Sequence, residues 1–361
     1  MPEPTDRDRR RFIGAAAAAL GAATVGAIGS GARRMTFAAG LPQGGAIPSL
    51  GGATEWLNSP ALTAAGLRGK VALFDFWTYT CVNWLRTLPY VRAWAEKYRD
   101  HGLVVVGVHT PEFPFEKDID NVRWAAKDMD VSYPIAVDSD YRVWQAFDNH
   151  YWPAVYLADM TGRIRFHHFG EGAYDQTERA IQTLLSEDGR PVDTQLVGVS
   201  PRGLEVSADF ASLRSPESYL GHEQGERFAS PGEALLDAPH VYTVPPRLAL
   251  NQWALAGDWT VKGKAVVTNA VNGRIVYRFH ARDVNLVMGP PRGAPPVRFA
   301  VKVDGKPPGS AHGTDTDEQG NGTAARQRTY QLVRQQKATG DRECEVQFAE
   351  AGVEAFCFTF G

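Results

Sequence analysis

Residues 71–91, VALFDFWTYTCVNWLRTLPYV, constrain the fold more than any other stretch: an apolar run turns into a helical stripe at a single cysteine. Val71–Trp77 is built from Val, Ala, Leu, Phe and Trp with one carboxylate, Asp75, and reads as a strand buried in a parallel sheet. After it, Trp84, Leu88, Val91, Ala95 and Tyr98 recur at intervals of three and four, the stripe of a helix packed on that sheet. Cys81 therefore opens the helix. Unpaired N–H groups and the helix dipole there favour a thiolate, and cysteines so placed have pKa values of roughly 3.5–7.5.

The next segments extend the pattern. Residues 103–108 are a second continuous apolar strand, followed by a helix over 116–129 with Val122, Ala125, Ala126 and Met129 on one side. A strand at 133–137, a short helix at 141–147 and the turn Trp152-Pro153 follow. Strands at 154–158 and 164–169 form a hairpin around Asp159-Met160-Thr161-Gly162, and a helix over 177–185 closes the unit. This order predicts a mixed α/β sheet with helices on both faces.

Residues 1–34 read as a signal rather than fold. Arg9, Arg10 and Arg11 before Phe12 have the twin-arginine form, and an uncharged Ala/Gly-rich run over 12–32 follows. Cleavage after Ala32 or Ala38, or an uncleaved membrane tether, are all open from the residues. Export would place the chain in a periplasmic or other extracytoplasmic, oxidising compartment. The expected organisation continues with an α/β domain at 35–190, a Gly/Pro/Ser-rich linker at 191–214 and an all-β sandwich at 215–361. The sandwich reading, of jelly-roll type, rests on short strands at 265–269, 274–280, 284–288, 297–304, 329–334, 343–348 and 353–360. Asn272-Gly273 and Asp304-Gly305 serve as hairpin signals. A net charge of −3 gives no electrostatic case for nucleic acid, and three cysteines are too few for a disulfide scaffold.

Three spacings around Cys81 resemble the thioredoxin fold and its exported TlpA/redoxin (AhpC/TSA-like) branch. Asp75 lies six residues before the cysteine, where that family keeps a buried carboxylate, and Pro89 lies eight after it, where the family has a helix-kinking proline. Trp152-Pro153 resembles the cis-proline turn that faces the active-site cysteine. The second half, including 247–253 and 356–361, resembles the carbohydrate-binding-like module behind the thioredoxin domain in the extracytoplasmic part of DipZ-type proteins. One departure matters most: the family motif is C-x-x-C, whereas Cys81-Val82-Asn83-Trp84 carries tryptophan in place of the resolving cysteine.

The chemistry expected of such a site follows from that departure. In a dithiol site the second thiol releases the mixed disulfide at an effective concentration of order mM or above. Trp84 cannot, so Cys81 would depend on an external thiol or a membrane electron-carrier protein as reductant. Its substrate would be a protein disulfide, exchanged or isomerised, or a peroxide reduced through sulfenic acid. A redox-inactive adaptor holding peptides or glycans is the rival reading. Asp75 at this spacing suggests a proton acceptor near Cys81, the plain alternative being a partly exposed strand end. Pro153 would lend geometry, Glu112 could tune the thiol, and Trp84 either fills core volume or narrows access. In the sandwich, Trp253, Trp259, Tyr277 and His280 are the candidates for stacking on a sugar, against core packing. Counting back from a loop at 349–352 sets Cys344 opposite Cys357, a candidate disulfide, with two buried thiols as the alternative. His109, His150, His167 and His168 show no metal-ligand spacing, and no cofactor is called for.

Overall fold

Strand β2 (Val71–Trp77) is buried along its whole length, because it sits in the middle of a sheet with apolar layers on both faces. The structure, a computed structural model, describes residues 41, 44–187, 189, 191–336 and 340–361. The twin-arginine stretch lies outside the described residues. Around β2 the chain runs β1 (Glu55–Leu57), β2, α1 (Val82–Lys97), β3 (Leu103–His109), α2 (Ile119–Asp128), β4 (Ile135–Val137), α3 (Arg142–Ala146), β5 (Ala154–Ala158), β6 (Ile164–Phe169) and α4 (Tyr174–Ser186). The sheet order is β1-β4-β3-β2-β5-β6, with β2, β3 and β4 parallel and β5 antiparallel to β2. This is the thioredoxin arrangement. Helices α1 and α4 cover one face through residues such as Trp84, Leu88 and Ile181, and α3 covers the other through Val143 and Trp144. The helix expected over 116–129 is shorter. Pro114 starts a 3-10 turn, Pro114–Lys117, and Asp118 restarts the chain as the N-cap of α2 by accepting the Asp120 N–H at 3.0 Å.

The second unit is entirely β in its long elements: β7 (Ser218–Tyr219), β8 (Pro239–Tyr242), β9 (Trp253–Val261), β10 (Val266–Thr268), β11 (Arg274–Phe279), β12 (Asp283–Gly289), β13 (Val297–Val303), β14 (Asn321–Ala324), β15 (Arg328–Arg334), β16 (Arg342–Phe348) and β17 (Glu354–Phe360). One layer runs β14-β13-β16-β11 to the first half of β9, and the other runs from its second half through β10, β17 and β12 to β15. Strand β9 thus turns the corner between layers. Gly257 makes the bend with φ +92°, and an added Cβ there would meet the Gly273 Cα at 3.4 Å. The two inner faces enclose a core containing Trp253, Trp259, Tyr277, Phe348 and Phe358.

Three sequence expectations change here. Asn272-Gly273 does not close a hairpin, because β10 and β11 pair with different halves of β9 and the turn carries the chain between layers. Asp304-Gly305, both at positive φ, does form a tight turn, with Val303 bridging to Lys306. The candidate disulfide fails: β16 pairs with β11 and β13, β17 pairs with β10, β12 and β7, and Cys344 and Cys357 lie in opposite layers as free, buried thiols. Residues 191–214, expected to be a linker, pack instead. Val192, Val197 and Leu204 cover the first core, Glu178 accepts the Val197 N–H at 3.0 Å, and Arg282 reaches the Ser207 carbonyl at 2.8 Å from the other side.

Candidate active site

Cys81 is the N-cap of α1, in extended conformation at φ −70° and ψ 109°, and its carbonyl accepts the Leu85 N–H at 3.0 Å. Its sulfur faces the Trp152-Pro153 turn, which is cis, and lies 3.8 Å from the Trp152 carbonyl oxygen. Trp152 is held in turn by its indole N–H, which donates to the Thr110 carbonyl at 3.1 Å after β3. Pro89 lies inside α1, buried. Cys81 and the cis Trp152-Pro153 turn therefore face each other, with Pro89 further along the same helix.

The position of the missing thiol is filled with specific contacts. Trp84 is fully buried, stacks on Trp77 with ring centroids 4.3 Å apart, and donates its indole N–H to Asp75 Oδ2 at 2.9 Å. Tyr133 approaches the same oxygen at 3.4 Å. Burial raises the Asp75 pKa to about 7 against the smaller opposing pull of these two donors. Asp75 is thus a core carboxyl rather than a strand-end charge. Its side-chain hydrogen-bond partners are Trp84 and Tyr133, so Asp75 makes no direct hydrogen bond to Cys81.

The β-sandwich covers Cys81. Thr329 on β15 donates its hydroxyl to the Thr80 carbonyl at 2.7 Å, Arg86 on α1 donates to the Phe360 carbonyl at 3.1 Å, and Arg292 pairs with Asp120 at 2.7 Å. Phe356 packs against Phe113 and Phe115 at 5.3 and 4.8 Å between centroids. Cys81 is left 8% exposed. Its thiol pKa is pushed up, first by burial and then by the charges of Glu112 and Glu217, although the N–H groups of Trp84 and Asn83 pull the other way. Desolvation therefore overcomes the helix terminus, and the lowered pKa expected from the sequence does not hold in this closed arrangement. Glu112 is half-buried, accepts from the Tyr219 hydroxyl of the sandwich, and also has a raised pKa through burial and neighbouring carboxylates.

One site residue escaped the sequence reading. Glu116 is fully buried, and one carboxylate oxygen accepts the Thr80 hydroxyl at 2.7 Å while the other accepts the Glu112 and Phe113 N–H groups at 2.7 and 2.9 Å. It ties the residue before Cys81 to the loop that carries Glu112. Its only sequence signal was a Glu three residues after Phe113 and directly behind Pro114 and Phe115.

The sugar candidates do not form a platform. Trp253, Trp259 and Tyr277 are core residues, and His280 is turned to Asp341 at 2.8 Å. No tryptophan or tyrosine is among the large apolar side chains exposed in the described residues. His109 is buried with its ring 4.8 Å from Trp77 and 5.9 Å from Tyr79, and burial lowers its pKa to about 3. His150 is paired with Asp148 at 3.2 Å, and His167 and His168 are neighbours on β6 with different exposure.

Residues 215–361 match the family described as "Thioredoxin like C-terminal domain". The protein DipZ of Mycobacterium bovis is 39% identical over 261 residues, covering 70% of this chain and 36% of DipZ. The chain thus spans about a third of the length of that relative. The thiol-disulfide oxidoreductase YkuV of Bacillus subtilis is 33% identical over 141 residues, which cover 39% of this chain and 95% of YkuV. A thioredoxin-like protein solved in solution in its oxidized form is 34% identical, covering 40% of this chain and 96% of that one, with a TM-score of 0.37.

Proposed function

Because this chain belongs to the thioredoxin-like family of thiol-disulfide oxidoreductases, we propose that it exchanges disulfides through Cys81, attacking a substrate disulfide that docks along the Trp152-Pro153 turn. The observation that carries this reading is the Cys81 sulfur held at a helix N-terminus against the carbonyl before a cis-proline. Attack forms a Cys81 mixed disulfide and releases one thiol of the substrate, and Glu112 is the carboxyl whose charge acts most strongly on the sulfur. Residue 84 offers no thiol, so the second thiol comes from elsewhere. The test is reactivation of scrambled ribonuclease in a glutathione buffer. The intact chain should accelerate it at least tenfold over buffer, and Cys81→Ser should return it to the buffer rate; equal rates for the two would refute the proposal. Hydrogen peroxide consumption, run in parallel with the same variant, measures a one-cysteine peroxide route.

Burial of Cys81 beneath the sandwich favours a second reading, a redox-inactive adaptor on a thioredoxin scaffold. It requires the two chains to be indistinguishable in both assays. Export by the twin-arginine route is also part of the proposal, since residues 9–14 carry its form. Replacing Arg10 and Arg11 by lysine should retain the chain in the cytoplasm of a twin-arginine-competent bacterium. Unchanged appearance in the periplasmic fraction would count against this route.

A further inference from the structure

Strand β17 crosses the N-terminus of α1 and is fixed on both sides of one residue, Cys357. Beyond it, the Phe360 carbonyl accepts from Arg86 in the first turns of α1 at 3.1 Å. Before it, Phe356 packs against both Phe113 and Phe115 on the loop behind Glu112. The register across the sheet makes Tyr219, Cys357, Val287 and Thr329 one row of directly opposed residues, which therefore share a face. Both ends of that row touch the thioredoxin unit: Thr329 bonds to Thr80, the residue before Cys81, and Tyr219 bonds to Glu112. With strands about 4.8 Å apart, Cys357 is suspended between these two anchors, over the site.

A bulge completes the placement. Val287 opposes Cys357 while Met288 opposes Ala355, leaving Phe356 as the extra residue, and both Phe356 and Cys357 join the buried cluster with Phe113 at the interface between the units. Cys344, by contrast, belongs to the sandwich core. Cys81 and Cys357 also feel the same carboxylates, Glu112 and Glu217, and the charge of Cys81 itself acts on Cys357.

We infer that Cys357 is the resolving thiol of this enzyme, supplied by the β-sandwich in place of the cysteine that Trp84 displaces, so that the working pair is Cys81 with Cys357. The inference rests on disulfide exchange at Cys81. In the cycle, Cys81 attacks a substrate disulfide, forming a Cys81–substrate bond and expelling one substrate thiol. The Cys357 sulfur then attacks the Cys81 sulfur. A Cys81–Cys357 bond forms, the bond to the substrate breaks, and the proton lost from Cys357 ends on the departing substrate sulfur. Two electrons have passed from the protein pair to the substrate, and an external dithiol returns them with two protons.

Reaction of the reduced full chain with 5,5′-dithiobis(2-nitrobenzoic acid) at pH 8 tests this in a Cys344→Ala background. Expected is release of two thionitrobenzoate anions per chain, with a peptide linking Cys81 to Cys357 by mass spectrometry. Cys357→Ala, and independently Cys357→Ser, should release one and retain the other as an adduct on Cys81. The unsubstituted chain, which needs no variant to fold, should give the same linked peptide. A persistent Cys81 adduct in the chain that keeps Cys357 overturns the inference and leaves exchange at Cys81 standing. No release from Cys81 at all removes both.

Discussion

Trp84→Cys is expected to convert the site into a conventional dithiol reductase while removing a large part of the stability of its domain. The ring lost is fully buried and stacked on Trp77, and replacing a core aromatic by a small side chain costs about 3–5 kcal/mol. The same change takes the indole donor from Asp75, leaving a buried carboxyl with one fewer partner at a further cost of about 1–3 kcal/mol. Against a typical total of about 5–15 kcal/mol the sum is severe, and urea unfolding should show a midpoint shifted far down. The functional effect runs the other way. A thiol at residue 84 would sit in the first turn of α1 behind Cys81, on the side where Asp75, a carboxyl whose pKa burial raises, receives the Trp84 indole and could exchange a proton with it. Insulin reduction with dithiothreitol as electron source should rise at least tenfold over the parent chain. Cys357→Ala added to Trp84→Cys should then leave the rate unchanged, because the local thiol resolves first. If Trp84→Cys folds and gains nothing, the remainder of the site is not organised for dithiol exchange.

Much of this site could be read directly from the chain because its parts are local in sequence. The all-buried pattern of 71–77, the periodic stripe from Trp84 and the spacings to Asp75 and Pro89 are each properties of a short segment, and the structure places them where expected. What sequence reading missed is all long-range. That Cys81 is covered depends on Thr329, Phe356 and Phe360, which are more than 240 residues away in the chain. Helix capping alone argued for a thiolate, and only the interface shows that desolvation prevails. The pairing of the last two strands failed for a related reason: a short loop after a strand reads as a hairpin, yet here 349–353 passes from one layer to the other. The same error hid that Cys357 lies in the buried cluster between the two units rather than in the sandwich core. Trp253, Trp259 and Tyr277 illustrate a smaller gap, since aromatic residues in a sandwich look alike in sequence whether they fill the core or line a groove.

The folded chain should also carry two opposed pH dependences that single substitutions separate. Asp75 has a folded pKa of about 7 against an ordinary value of 3.8, so its raised value makes the stability it contributes complete below about pH 4, and this is lost as pH rises to 7. His109 is the reverse: with a folded pKa of about 3 against 6.5, its contribution is complete above pH 6.5 and is lost as pH falls towards 3. Each group alone gives a slope of about 1.4 kcal/mol per pH unit. Between pH 4 and 6.5 these two slopes have opposite sign and offset each other, so only the single substitutions separate them. Asp75→Asn keeps an acceptor for the Trp84 indole and abolishes one titration. Its stability relative to the parent should climb by about 4 kcal/mol from pH 4 to 7. His109→Gln should show the complementary change, with stability relative to the parent rising by about 4–5 kcal/mol as pH falls from 6.5 to 3. The constant offset caused by each lost contact does not enter, because only the change with pH is read. Urea unfolding of the three chains across this range supplies the curves. Parallel profiles for Asp75→Asn and the parent would mean that Asp75 ionises in the folded chain as it does in water, and the buried Trp84–Asp75 pair would then be a charged one.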